Sequence, residues 1–120
     1  MHLEATNRTP EVTISDTSLE LKGECYPEDI SAFAEPILEL LAEKLEACDS
    51  YFVSLELRYF NSSSAKFFFD FFEVLEEAAA DGKNVSIEWR YRSTDNSMKE
   101  AGKDFEEDME EADYQLVEIS

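Results

Sequence analysis

The sequence predicts one α/β domain in which a mixed sheet is covered by helices, in the order β-β-α-β-α-β-α-β. Three observations carry that expectation. Short runs alternate apolar and polar residues, longer segments repeat apolar residues every three or four positions, and turn residues separate the two kinds. The 120 residues suit a single domain, and 43% apolar content is enough to build a core.

Residues 1–10 are polar and end in Pro10, so they are expected to form a flexible lead-in to a domain spanning 11–120. "EVTI" alternates through Val12 and Ile14, and "LELKG" through Leu19 and Leu21. The "SDTS" between them has turn chemistry, which predicts a hairpin. In "CYPEDISAFAEPILELLAEKLEAC" the residues Phe33, Ile37, Leu41 and Leu45 recur every four positions, as on one face of a helix. Pro36 lies in the middle and is expected to open a second helical segment, because at a first helical position its missing N–H costs nothing.

"YFVSLELRYF" places Val53, Leu55, Leu57 and Tyr59 on one face of a strand. A helix from about Ser62 to Ala80 follows, closed by Asp81-Gly82. "NVSIEWRYR" is the next strand, with Val85, Ile87, Trp89 and Tyr91 on one face. "TDNSMKEAGKDFEEDMEEA" reads as an acidic helix with a thin stripe of Met98, Ala101, Phe105 and Met109, and "YQLVEI" as a last short strand. Strands alternating with helices imply right-handed crossovers. The helices are expected mainly on one face, since three barely suffice to cover both.

Composition narrows the function. Twenty-nine acidic against ten basic residues give a net charge of −19, which repels phosphate backbones and anionic lipids. Nucleic acid and membrane are therefore disfavoured as partners, whereas a basic protein surface could be steered in. No apolar run reaches the ~18 residues of a membrane-spanning helix, and the N-terminus lacks the pattern of a secretory signal, so the expected compartment is the cytoplasm. Cys25 and Cys48 without CxxC spacing, with His2 as the one histidine, supply too few ligands for a zinc site. Two free thiols are expected, and neither a metal nor a cofactor. Nor is there a GxSxG motif or a histidine placed to activate a serine, which argues against hydrolase chemistry.

The stretch "YFNSSSAKFFFDFF" concentrates the functional question. Asn61 is placed to cap the long helix, its side-chain oxygen accepting one of the unpartnered first-turn N–H groups. Ser62, Ser63 and Ser64 then form the first turn, which explains them structurally. A phosphate on Ser62 would also gain from those N–H groups and the helix dipole. Along the helix, Ala65, Phe68, Phe72, Leu75 and Ala79 form one apolar stripe and Phe67, Phe71, Val74 and Ala78 a second, leaving Lys66, Asp70, Glu73 and Glu77 as a narrow polar wedge. One stripe suffices to rest on a sheet. The second is covered either by a neighbouring helix or by a partner.

The same residues resemble a known family. "CYPEDISAFAEPILELL", "RYFNSSSAKFFFDFFEVLEE" and "VSIEWRYRSTDNSMKEAGKDFEE" are similar to the SiaC-type bacterial regulatory phosphoproteins. In those, a YPEN segment precedes "YFNTSSAK" and a later "V…W.Y…D..M.E.GE.F". Tyr26-Pro27-Glu28, Phe33, Pro36, Tyr59-Phe60-Asn61, Ser63 to Lys66, Trp89, Tyr91, Asp95, Met98, Glu100, Gly102 and Phe105 stand where that pattern expects them. The chain departs from it at Ser62, where threonine is usual, at Lys103 in place of glutamate, and at Asp29 in place of asparagine.

The resemblance implies a STAS-like fold related to anti-anti-sigma factors and a non-catalytic, partner-switching role. A serine/threonine kinase would phosphorylate the residue after Asn61, here Ser62 with Ser63 and Ser64 as alternates, and a phosphatase would reverse it. The unphosphorylated form would bind a GGDEF-type diguanylate cyclase and so raise cyclic-di-GMP and promote biofilm. The docking surface is expected around Tyr59, Phe60, Ser63, Ser64, Lys66, Phe67 and Phe71. Two other functions fit the residues: a constitutive oligomerisation module built on the phenylalanine helix, or a small anionic-ligand-binding domain using the helix N-terminus.

Overall fold

The computed structural model describes residues 1–119. Nine elements follow one another: β1 (His2–Leu3), β2 (Glu11–Ile14), β3 (Ser18–Cys25), α1 (Ile30–Ala47), β4 (Ser50–Phe60), α2 (Ser62–Ala80), β5 (Asn84–Tyr91), α3 (Asn96–Glu106) and β6 (Asp113–Glu118). They form one six-stranded sheet in the order β1-β2-β3-β4-β5-β6. The first three strands are antiparallel, and β3 to β6 are parallel. The sequence-predicted mixed α/β fold and its element order are found, with one strand added.

That strand is β1. His2 and Leu3 pair with Thr13 and Val12 in the stretch expected as a flexible lead-in, and the terminal ammonium donates to the Ile14 carbonyl at 3.0 Å. Two residues carry no detectable alternation, and only the exposed edge of β2 makes them a strand. A second correction concerns Pro36, which lies inside one continuous helix rather than opening a new one. The carbonyl it leaves without an N–H partner belongs to Ala32, and both residues face solvent, where water can serve as donor. The acidic third helix ends at Glu106, so Met109 packs from the following loop.

Each parallel crossover advances by one strand in the same direction. With right-handed connections that places all three helices on one face. The burial pattern agrees. Leu19 and Leu21 of β3, Val53 and Leu55 of β4, and Ile87 and Trp89 of β5 are buried, while Glu20, Lys22 and Arg90 point the other way into the open. Lys83, just past α2, donates to the Cys48 carbonyl at 2.6 Å and closes the C-terminal end of α1.

Glu76 on α2 holds the acidic loop before β6. Its carboxylate accepts from the Glu110, Glu111 and Ala112 N–H groups at 3.0, 2.8 and 3.0 Å. Burial pushes this carboxyl up, but the three backbone donors outweigh it and hold it below its ordinary 4.5. A lowered carboxyl stabilises the fold above its ordinary pKa, and the contribution fades as pH falls through the depressed value. Glu76→Ala is expected to lose about 1–3 kcal/mol in urea unfolding at neutral pH. The gap to the parent should close on acidification; a gap independent of pH would exclude the carboxylate as its source.

Candidate functional site

The parallel strands all end at the same edge of the sheet, so the three helices begin there side by side. Each is capped by a side-chain oxygen. Asp29 accepts from the Ala32 N–H at 3.1 Å, Asn61 from the Ser64 N–H at 3.0 Å, and Asp95 from the Met98 N–H at 3.1 Å. Only α2 has a neutral cap, and its first turn carries no acid. Its cap and first turn therefore bring no negative charge to its positive end. The Asn61 N–H donates to the Cys25 carbonyl at 3.3 Å, tying this corner to the end of β3.

The three serines occupy different environments. Ser62 and Ser63 are exposed, and Ser63 borders a shallow groove of about 140 Å³ between the starts of α1 and α2, together with Ile30 and Lys66. Ser64 is fully buried, and its hydroxyl makes no hydrogen bond of good geometry. It lies against the Cys25 thiol. Burial pushes that thiol up, and the neighbouring hydroxyl works against the shift. Ser64 is thus closed to a kinase unless the first turn of α2 opens.

The expected docking residues separate in the same way. Tyr59 is 48% exposed and stacks edge-on against Tyr26 at 5.6 Å, and Lys66 is exposed. Phe60 is half-buried and packs inward against Phe68, Phe105 and Trp89. Phe67 and Phe71 are core residues at 3% and 0% exposure, because α1 crosses this side of α2 and Phe33 meets Phe67 at 5.9 Å. The second stripe is therefore covered by a neighbouring helix.

The exposed aromatic of α2 is instead Phe69, 48% accessible. It lies on the stripe Ser62, Lys66, Phe69, Glu73, whose members fall within about 60° at 100° per residue. Its signal in the sequence is a phenylalanine that belongs to neither apolar stripe and borders the polar wedge. Among the described residues no group of three His, Cys, Asp or Glu side chains is placed to hold a metal, and no helix is long and apolar enough to cross a membrane. His2 sits on the far edge strand beside Glu11, remote in the sheet order from β4 and the serines.

Residues 3–119 match the family described as SiaC family regulatory phosphoprotein. The chain belongs to the SiaC family. It is 30% identical over 112 residues to an uncharacterized protein of Pseudomonas aeruginosa strain UCBPP-PA14, covering 90% of this chain and 88% of that protein. Among solved structures it is similar to apo-SiaC from P. aeruginosa, with TM-score 0.87, 25% identity and coverage of 98% of this chain and 97% of that one. It is also similar to the crystal structure of the diguanylate cyclase SiaD in complex with its activator SiaC, from the same organism. There the TM-score is 0.94 at 25% identity, covering 99% of each chain. The SiaC fold thus spans nearly all of the chain, and the expected family and fold are both found.

Proposed function

We propose that this SiaC-family protein binds and activates a diguanylate cyclase, and that phosphorylation of Ser62 turns the activation off. Membership of a regulatory phosphoprotein family and the likeness to SiaC in complex with SiaD support the first half. The observation that carries the second is the separation of the serines: Ser62 is exposed at the first position of α2, and Ser64 is sealed beneath it.

A kinase would transfer the γ-phosphoryl of ATP to the Ser62 oxygen, releasing ADP and the hydroxyl proton; a phosphatase would return the serine by hydrolysis. The added phosphate brings about −1.5 to −2 of charge onto the exposed N–H groups of α2. Lys66, one turn along and the sole cation of α2, pairs with it. The corner formed by Tyr59, Ser62, Ser63 and Lys66 then changes from locally positive to negative. A partner carboxylate facing Lys66 loses its counter-charge and meets a phosphate. Burial of Phe67 and Phe71 removes the surface that a constitutive oligomerisation module would have used.

The test uses purified diguanylate cyclases of the source organism and three forms of this protein: unmodified, Ser62→Ala, and a form carrying phosphoserine genetically encoded at position 62. The unmodified and alanine forms are expected to raise cyclic-di-GMP synthesis. The phosphoserine form should be about tenfold or more weaker, within the range of ordinary switch couplings. No stimulation of any cyclase would remove the activator role. Equal stimulation by all three forms would remove the switch.

A further inference from the structure

We infer that the groove between α2 and α3 is the seat of a basic amphipathic helix belonging to the regulated partner. The groove, of about 280 Å³, has an apolar floor that includes Phe69, Phe105 and Met109 and a rim that includes Glu73, Glu77 and Asp108. Phe69 stands edge-on to the buried Phe105 at 5.0 Å, so its ring is held in place while half of its surface remains open. The three rim carboxylates are exposed, and no cation pairs with them among the described residues.

An apolar floor with an unpaired acidic rim calls for apolar anchors flanked by lysine or arginine. A helix presents that combination when anchors recur at three and four positions and cations line the margins. Charge complementarity selects it over an acidic or neutral segment, which would leave the rim carboxylates facing like charge or no charge. The nearby end of the same α2 stripe carries the opposite sign, with Lys66 and the helix N-terminus beside Ser62. The seated helix would therefore place its cations over Glu73 and Asp108 and an acidic end at Lys66, which connects the groove to Ser62. That the helix belongs to the regulated partner rests on the function proposed above; the chemistry of the groove does not.

The probe is a synthetic peptide of about 18 residues, five helical turns, with leucine at the anchor positions, lysine at the margins and glutamate in one terminal turn. A scrambled peptide of identical composition serves as control. Backbone amide shift mapping on the ¹⁵N-labelled protein should place the amphipathic peptide on Phe69, Glu73, Phe105 and Met109. Phe69→Ala should weaken it by about tenfold or more, as expected of a packed aromatic anchor. The double variant Glu73→Gln/Glu77→Gln should weaken it in low salt, and Glu39→Gln on the exposed face of α1 should not.

Shifts spread over the acidic surface, equal binding of the scrambled peptide, or indifference to Phe69→Ala would each overturn the inference. The phosphoserine-62 form separates this site from the switch. A peptide that binds the groove equally with and without the phosphate sustains the groove and counts against regulation through Ser62.

Discussion

Trp89→Ala is expected to lose about 3–5 kcal/mol, the cost of emptying a large aromatic site, out of a total stability on the order of 5–15 kcal/mol. Trp89 is fully buried on β5, and its indole N–H donates to the Met98 carbonyl at 2.9 Å. Its ring meets Phe105 at 5.5 Å, Phe72 at 6.2 Å and Phe60 at 6.4 Å, so it joins β4, α2, β5 and α3. Trp89→Phe should cost less, because most of the volume stays and the lost hydrogen bond accounts for about 1 kcal/mol.

Gly102 supplies the matching test on α3. A Cβ there would lie 2.5 Å from Cδ1 and 2.7 Å from Nε1 of Trp89, and 2.7 Å from Cδ2 of Leu116. Alanine gains about 1 kcal/mol of helix propensity over glycine, but forcing the fully packed indole aside costs about 1–3 kcal/mol or more. Gly102→Ala is therefore expected to destabilise in the parent and to be milder in the Trp89→Phe background, where the clashing five-membered ring is gone. Denaturant midpoints of the four proteins form a double-mutant cycle. Strict additivity would show that the two sites do not touch in solution.

Elements with strong local codes are legible in the sequence alone. The alternation through Leu55 and Leu57 marks β4, and Asn61 and Gly82 mark the ends of α2. Asn61 accepts the Ser64 N–H as a cap should, and Gly82 has φ of 101°, a left-handed conformation that suits glycine at a helix stop. What local code could not fix was decided between elements. Two apolar stripes on α2 each qualified as the core face, and only the crossing of α1 buries Phe67 and Phe71 while leaving Phe69 open. Pro36 stays inside a helix because the freed carbonyl faces water, a fact of position rather than sequence. The site followed the same division. Asn61 is legible as the cap from local sequence and Ser62 is singled out only by the family resemblance, whereas the sealing of Ser64 beside Cys25, thirty-nine positions earlier in the chain, is written in neither.

That sealing gives the second large expected effect. Ser64→Asp should destabilise by about 3 kcal/mol or more, since a carboxylate would be buried with only the weakly donating Cys25 thiol beside it. Ser64→Ala should be neutral or stabilising, because it removes a buried hydroxyl that lacks a good partner. Ser62→Asp lies in the exposed first turn of the same helix, where negative charge near the N-terminus contributes about 0.3–1 kcal/mol at low ionic strength. Thermal or urea unfolding of the three variants should therefore order Ser64→Asp far below the parent, with Ser62→Asp at or above it. The reverse order would mean that the first turn of α2 is rotated in solution and that Ser64 is the accessible hydroxyl. The expected order also bears on the switch. If charge at position 62 leaves the fold intact, any loss of cyclase stimulation by the phosphoserine form arises at the exposed surface around Ser62 rather than from unfolding. A phosphate at position 64 could act only by opening α2 itself.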